Sequence, residues 1–347
     1  MRSMILAAGV SALAASCACA AELTELAVHY AMRTEEAPAI DGRLDEEAWG
    51  RAPKFTRYRH SYGDKRQETS IRELWDGKGL YVGIENKESD MDRLRVTART
   101  RDGNQIWADD SAEIYIDPSA SGYSMFQFCV NSIGTLGDYW QVDMGFTDWS
   151  WSASSAKAAC GRTSDAWAIE FFVSWNDLKK TPSVGDVWMF FHQRFSYTDG
   201  KGGRSAASTS GGAYHNRRFG YMLFIDKDIP APGQLVEKLR SLAKPPWVLP
   251  LDGGKWIYAG GGPSAAVEDS SAIISGLKGE AESALKSVDK ASDGADASKD
   301  AVRKLHERFE SAGKSDGEFD RMAEYMAVRD AAKLLLDDLE LTELIKQ

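Results

Sequence analysis

Alternation dominates the first two-thirds of the chain. Between Trp107 and Asp117, Ala112, Ile114 and Ile116 fall on one side of an extended segment, and Ser111, Glu113 and Tyr115 on the other, with Trp107 in their parity. After the loop Pro118 to Gly122, Phe126, Phe128 and Val130 share an apolar side, while Tyr123, Gln127 and Asn131 share the opposite one. The pattern predicts two strands of a sheet with one face in a core and one toward water.

The same period recurs on both sides of this pair. Ile71 to Trp75 and Leu80 to Glu85 flank the turn Asp76-Gly77-Lys78-Gly79, which predicts a hairpin. Gly134 to Gln141 continues as a strand near a sheet edge, and Trp149 and Trp151 sit in an irregular stretch that is read as a loop over the polar face or as a lid on the core. Trp167, Ile169, Phe171 and Val173 share a face, with Glu170 opposite. In Asp186 to Phe195, Val187, Met189, Phe191 and Phe195 face one way and Trp188, Phe190, His192 and Arg194 the other, as in a central strand whose end opens on the polar face. The Gly- and Ser-rich run Thr198 to Gly212 lacks phosphate-loop spacing and reads as a loop, and Arg218 to Phe224 closes the domain as a last strand. Many short strands between turns imply a mainly β chain, an antiparallel β-sandwich of jelly-roll or immunoglobulin-like type. Earlier, Asp45 is placed to cap a single helical turn ending near Trp49, with Trp49 packed under the sandwich edge.

The period changes after the sandwich. Residues 233–264 carry Pro and Gly clusters and read as a linker, with a short helix at Gln234 to Leu242. In 265–347, Ile273, Ile274, Leu277, Ala281, Ala284, Leu285 and Val288 recur at helical spacing, as do Val302, Leu305 and Phe309, then Phe319, Met322, Met326 and Leu334. They predict three amphipathic helices broken at Gly294 and at Gly313 to Gly317, an α-helical C-terminal region with no visible chemistry.

Charge and cysteine content narrow the function classes. The net charge of −10 leaves no basic stripe for nucleic acid. Residues 1–20 read as a signal peptide: Arg2, an apolar run from Met4 to Leu13, and Ala18-Cys19-Ala20 as a cleavage site. Cys17 after Ala-Ala-Ser offers a lipoprotein site as the alternative. The apolar run is too short for a membrane span, and no later stretch could be one. The expected product is secreted or periplasmic, with a sandwich over 21–232. Beyond the leader stand Cys129 and Cys160, compatible with one disulfide or with two buried free thiols.

Several pieces in order carry a resemblance. They are Ile40-Asp41-Gly42 with Leu44, Asp45 and Trp49; Asp76 with Leu80-Tyr81-Val82-Gly83; Trp107 with Asp109-Asp110-Ser111 and Glu113-Ile114-Tyr115-Ile116-Asp117; Trp167 with Glu170 and Trp175; Arg194; and Phe219-Gly220. The region from about Pro38 to Phe224 resembles the family 9 carbohydrate-binding modules and their DOMON-like relatives. The resemblance implies a secreted, non-catalytic carbohydrate-binding sandwich that serves polysaccharide catabolism with glycoside hydrolase partners, with bound calcium common. It implies that Trp107 is one of two Trp that clamp a sugar ring, and that Glu113 is an acid touching sugar. The second Trp belongs before Phe219, where this chain has Ala206 to Ser210, then Tyr214 and His215, and Tyr214 is the substitute platform.

The candidate carbohydrate-binding residues are therefore Trp107, Glu113, Gln127, Asn131, Glu170, Arg194, Tyr214 and His215. Rings stack on the C–H faces of sugars, and planar polar groups pair with hydroxyls. Each has a plain structural alternative: Trp107 as a rim residue, Glu113 in a salt bridge, and Glu170 with Arg194 as an ion pair. Asp109 and Asp110 are calcium candidates, or turn caps. Two readings from other classes stand beside binding. A glycoside hydrolase would draw a carboxylate pair from Asp110, Glu113 and Glu170. A haem-binding DOMON-like domain would use His192 or His215.

Overall fold

The computed structural model describes residues 22–60, 68–103, 105–142, 146–198, 204–207, 219–260, 265–292 and 298–346. Residues 1–20, read above as a leader, with Cys17, most of the stretch 198–212, and Tyr214 and His215 lie outside the described residues. The first strands are β1 (Thr24–Glu25), β2 (Val28–Arg33), β3 (Arg59–His60), β4 (Thr69–Trp75) and β5 (Gly79–Lys87). Then come β6 (Ser111–Asp117), β7 (Ser124–Asn131), β8 (Leu136–Val142), β9 (Phe146–Asp148), β10 (Lys157–Arg162) and β11 (Ala166–Ser174). The last are β12 (Val187–Ser196), β13 (Arg204–Ala207), β14 (Gly220–Ile225), β15 (Trp247–Pro250), β16 (Lys255–Ala259) and β17 (Ala266–Asp269). The helices are α1 (Glu47–Arg51), α2 (Pro232–Leu239), α3 (Ser270–Ser292), α4 (Lys299–Ala312) and α5 (Glu318–Lys346).

The chain divides into two compact units, one spanning Leu26–Lys238 and the other made of the residues up to Glu25 and from Leu239 onward. In the first, the described strands form one sheet in the order β10-β11-β5-β4-β2-β14-β12-β6-β7-β8-β9, with β13 added to β12 and β3 to β13. The sheet curls on itself. Phe128 of β7 and Phe171 of β11, far apart in that order, meet with ring centroids 4.8 Å apart. Between the two halves lie the alternating positions read from sequence: Ile71, Leu80, Val82 and Ile84 with Ile169, Phe171 and Val173 from one half, and Ile114, Ile116, Phe128 and Val130 from the other. The expectation of a wholly antiparallel sandwich is corrected, because β2 runs parallel to both β4 and β14. β2 joins no hairpin. It fills the gap between two strands that arrive from opposite ends of the unit.

The start of the unit is pinned to the outside of β11 and β5. Trp49 in α1 lies against Gly83, where an added side chain would collide with Leu44 and with the Trp49 ring. Glu46, not Asp45, is the N-cap residue, and its carboxylate accepts the Ala39 N–H.

In the second unit, the stretch read as a linker is folded. β15 and β16 pair antiparallel, β1 joins β15 in parallel, and β17 joins β16. Val248 and Trp256 share a core with Ile273, Leu277, Ala281, Leu285 and Val288 of α3, Leu305 of α4, and Met322, Tyr325 and Met326 of α5. The second break falls at Gly313 to Gly317 as expected, and Gly294 of the first lies outside the described residues. Leu334 is exposed, and Ala332 and Leu335 take the buried positions in its turn. Among the described residues no helix is long and apolar enough to cross a membrane.

Candidate functional site

The polar positions of β12, β6, β7 and β8 form a connected row on the outer face of one half of the sandwich. Register sets Gln193 opposite Glu113, Glu113 opposite Cys129, Tyr115 opposite Gln127, and Gln127 opposite Tyr139. Glu113 is only 3% exposed. Its Oε2 accepts Gln193 Nε2 at 2.5 Å and the Tyr115 hydroxyl at 2.9 Å, and its Oε1 accepts Gln127 Nε2 at 3.4 Å. Gln127 Oε1 in turn accepts Gln141 Nε2 at 2.5 Å.

This relay has a direction. An ionised carboxylate can only accept, so each glutamine beside Glu113 must turn its NH₂ toward it. Gln127 then has its oxygen left for Gln141, and Gln141 has its own oxygen left over. Gln141 is half-buried, so the row ends on an acceptor at the rim. The sequence reading set Glu113 on a face toward water, as a sugar contact or in a salt bridge; it is instead buried among Gln193, Tyr115 and Gln127. It orients the amides that reach the rim. Burial pushes its pKa up, and its three side-chain donors pull the other way.

Rings flank the row at both ends. On the β12 side, Phe191 and Phe219 stack at 4.6 Å and 9°, and both contact Tyr115. Phe219 is buried. On the β8–β9 side, Trp107, Tyr139 and Trp149 form a mutual cluster with centroid separations of 6.3, 5.9 and 4.9 Å. Trp107 is half-buried, and Trp149 is 59% exposed. An exposed indole beside an outward amide is the chemistry a sugar asks for: a ring for its C–H face and an acceptor for its hydroxyl.

Other candidates serve the framework. Asn131 is fully buried; its Nδ2 donates to Ala98 O and Asp109 Oδ2, and its Oδ1 accepts the Ile133 and Thr135 N–H groups. No capacity remains for a ligand. Asp109 accepts the Thr97 and Ala98 N–H groups and the Thr97 hydroxyl, and Asp110 accepts the Arg95 and Tyr197 N–H groups. Those oxygens hold the 95–98 segment against β6 and β7, the capping role that was weighed beside calcium. Among the described residues no group of three or more His, Cys, Asp or Glu could hold a metal ion.

The expected Glu170–Arg194 pair is not made. Glu170 Oε2 accepts the Asp41, Gly42 and Arg43 N–H groups, and its Oε1 accepts the Trp49 indole N–H at 2.9 Å. Arg194 stands opposite Ala112 on the core side, pairs with Glu88 at 3.2 Å and donates to Lys87 O. Burial lowers its pKa to about 10. His192, named for haem, also faces inward, with Nδ1 2.6 Å from the Tyr58 hydroxyl. Of the two readings left open for the cysteines, free thiols are found: Cys129 is buried and Cys160 half-buried, and they are not joined. Cys129 lies on the outer face of β7 beside Ile106 and Trp107, while Cys160 packs against the sandwich core.

Gln193, Tyr139 and Gln141 were not singled out from sequence, and Trp149 was noticed only as part of a loop. Alternation places each on the Glu113 face once the register is known. The sequence lacked only the strand neighbours.

Comparison with known proteins bears on the same region. The family model described as carbohydrate family 9 binding domain-like matches residues 40–225. No curated protein matches the chain. Among solved structures, a family 9 carbohydrate-binding module from Caldicellulosiruptor kristjanssonii in complex with glucose is similar at 16% identity and a TM-score of 0.45, covering 59% of this chain and 99% of that one. The same organism's module in complex with cellotriose is similar at 17% identity and a TM-score of 0.46, covering 59% of this chain and 98% of that one. The family match spans more than half of the chain and runs from the Ile40 turn through the Glu113 strand to β14, so the chain belongs to the carbohydrate family 9 binding domain-like family.

Proposed function

We propose that this protein binds carbohydrate without cleaving it, on the outer face of β6 to β9. The observation that carries the reading is one juxtaposition. Trp107 and the exposed Trp149 gather around Tyr139, and Tyr139 is the cross-strand partner of Gln127 in the relay that ends on Gln141. Family membership supports the ligand class. The position of the carboxylates supports binding over hydrolysis. Glu113 and Glu170 lie on opposite outer faces of the sandwich, and both are occupied by internal donors, whereas a glycosidase needs two carboxylates about 5–10 Å apart across one bond. The signal-like pattern of residues 1–20 supports an exported protein, working beside glycoside hydrolases that supply or consume the same polymer.

A glycan array probed with the full chain tests the ligand class. On the best saccharide, Trp107→Ala is expected to weaken binding about tenfold or more, since stacked aromatic contacts contribute about 1 kcal/mol or more beyond area burial. Its melting curve should stay close to the parent's. Unchanged affinity in calorimetry removes Trp107 from the site, and a blank array removes the carbohydrate reading.

A further inference from the structure

Of the eleven Trp in the chain, all within the described residues, Trp149 alone is exposed. A large indole left in water forgoes the free energy of burial, so its position needs a cause. The local chain supplies one. Asp148 Oδ1 accepts the Ser150 hydroxyl at 2.6 Å and the Ser150 N–H at 2.9 Å, closing a tight turn directly after β9. Those two donors hold the Asp148 carboxyl below the usual carboxylate range. On this turn the two neighbouring indoles part. Trp151 packs into the sandwich core, with ring centroids 4.9 Å from Phe126 and 6.1 Å from Phe128. Trp149 stays on the outer face, braced by Tyr139 at 4.9 Å and 68° and by Trp107 at 5.9 Å and 44°. Trp151 thus fastens the turn from within, and Trp149 is held rigid while presenting its ring to solvent.

The neighbours of that ring set what it can bind. Between β8 and β9, Trp140 pairs with Asp148 and Gln141 with Thr147. One further step on the outer face brings Trp149 opposite Tyr139, in agreement with their ring contact. Trp149 and Tyr139 therefore make one rung of outward side chains, and Gln141 and Thr147 the next, about 7 Å along the strands. Gln141 and Thr147 are both half-buried. An indole, an amide and a hydroxyl on one face suit a pyranose that lays its C–H face on the ring and turns its hydroxyls to the polar pair.

Resting on the carbohydrate reading above, we infer that Trp149 is a second stacking ring of the saccharide site, beside Trp107, and that Asp148 is the residue that positions it. The ligand is a pyranose whose stacked face carries C–H bonds and whose edge directs a hydroxyl at Gln141. Folding does not rest on this ring, because most of Trp149 stands in solvent.

Calorimetry and fluorescence titration of the full chain with the best saccharide of the glycan array test this. Trp149→Ala is expected to bind about tenfold more weakly, and Trp149→Phe to keep most of the affinity, both melting close to the parent. Saturating saccharide should move the parent's tryptophan emission to shorter wavelength, and Trp149→Phe should lose most of that shift. Asp148→Ala should weaken binding severalfold, and Asp148→Asn, which closes the same kind of turn, should restore it. Parental affinity in Trp149→Ala, or an emission shift unaltered in Trp149→Phe, overturns the second ring and leaves carbohydrate binding in place. Parental affinity in Asp148→Ala removes the positioning role. A blank glycan array overturns the carbohydrate reading itself.

Discussion

Glu113 carries two opposed demands. Burial raises its pKa, and the hydrogen bonds from Gln193, Tyr115 and Gln127 do not cancel the rise. The folded protein therefore holds that proton more tightly than the unfolded chain. The stability this contributes is full below the ordinary glutamate value of about 4.3 and is lost as pH rises through the higher folded value. The relay needs the reverse, because only the ionised form accepts from both glutamines and fixes the outward oxygen on Gln141. Saccharide affinity is thus expected to fall as pH drops through the folded pKa of Glu113, while its contribution to stability rises. Glu113→Gln offers the neighbours a donor and an acceptor at once, so the relay loses its fixed direction. We expect that variant to bind about tenfold more weakly at pH 7, ~1.4 kcal/mol, with a melting point no lower than the parent's. Its stability should also lack the parent's slope above the ordinary glutamate pKa. Calorimetry and thermal melts across that range check both, and parental affinity in the variant would leave the relay without a role.

The strands show where alternation was a sufficient guide and where it was not. In β6 and β11 one face is wholly apolar, so parity alone separated Ile114 from Glu113 and Ile169 from Glu170. In β12 both faces are apolar near the start, and the reading that put Arg194 on the polar face is overturned, because Gln193 takes that position. The pairing of Arg194 with Ala112 and of Gln193 with Glu113 shows this. Glu170 was correctly placed off the core, but its partner came from the turn 128 residues away, beyond the reach of any local pattern. That turn is tight. Gly42 has φ +92°, and a Cβ there would meet the Gly161 nitrogen at 2.5 Å. Glu170 is thus the anchor of the Ile40–Trp49 segment on β10 and β11. Glu170→Ala leaves three backbone N–H groups and one indole N–H without their acceptor and is expected to cost about 2–4 kcal/mol. Urea denaturation measures that loss. Saccharide affinity should not change while the protein is folded, because the Trp107–Tyr139–Trp149 cluster lies on the opposite outer face; a loss of affinity with little loss of stability would return Glu170 to the site.

The boundary between the two units was the least legible feature. Pro245-Pro246 and Gly253-Gly254 flank short apolar runs, and Pro and Gly at that density read as a linker, yet Trp247 to Pro250 and Lys255 to Ala259 are strands with Trp247 and Trp256 buried. The signal was present in those two Trp, because a large indole is seldom left in a linker. A sandwich ending at residue 232 stops at the first residue of α2. It thereby loses Lys238, whose Nζ donates to Gly185 O at 2.8 Å, just ahead of the central strand β12. A fragment of residues 26–238 should unfold in one transition and bind saccharide as the full chain does. Stopping at 231 removes α2 and that hydrogen bond, about 1 kcal/mol, and is expected to lower the melting midpoint by about 2–4 °C. Because β12 supplies Gln193 to the relay, the shorter fragment should keep its affinity only below its own melting transition. A 26–238 fragment that fails to fold by circular dichroism would show that the Leu26–Lys238 unit depends on the rest of the chain.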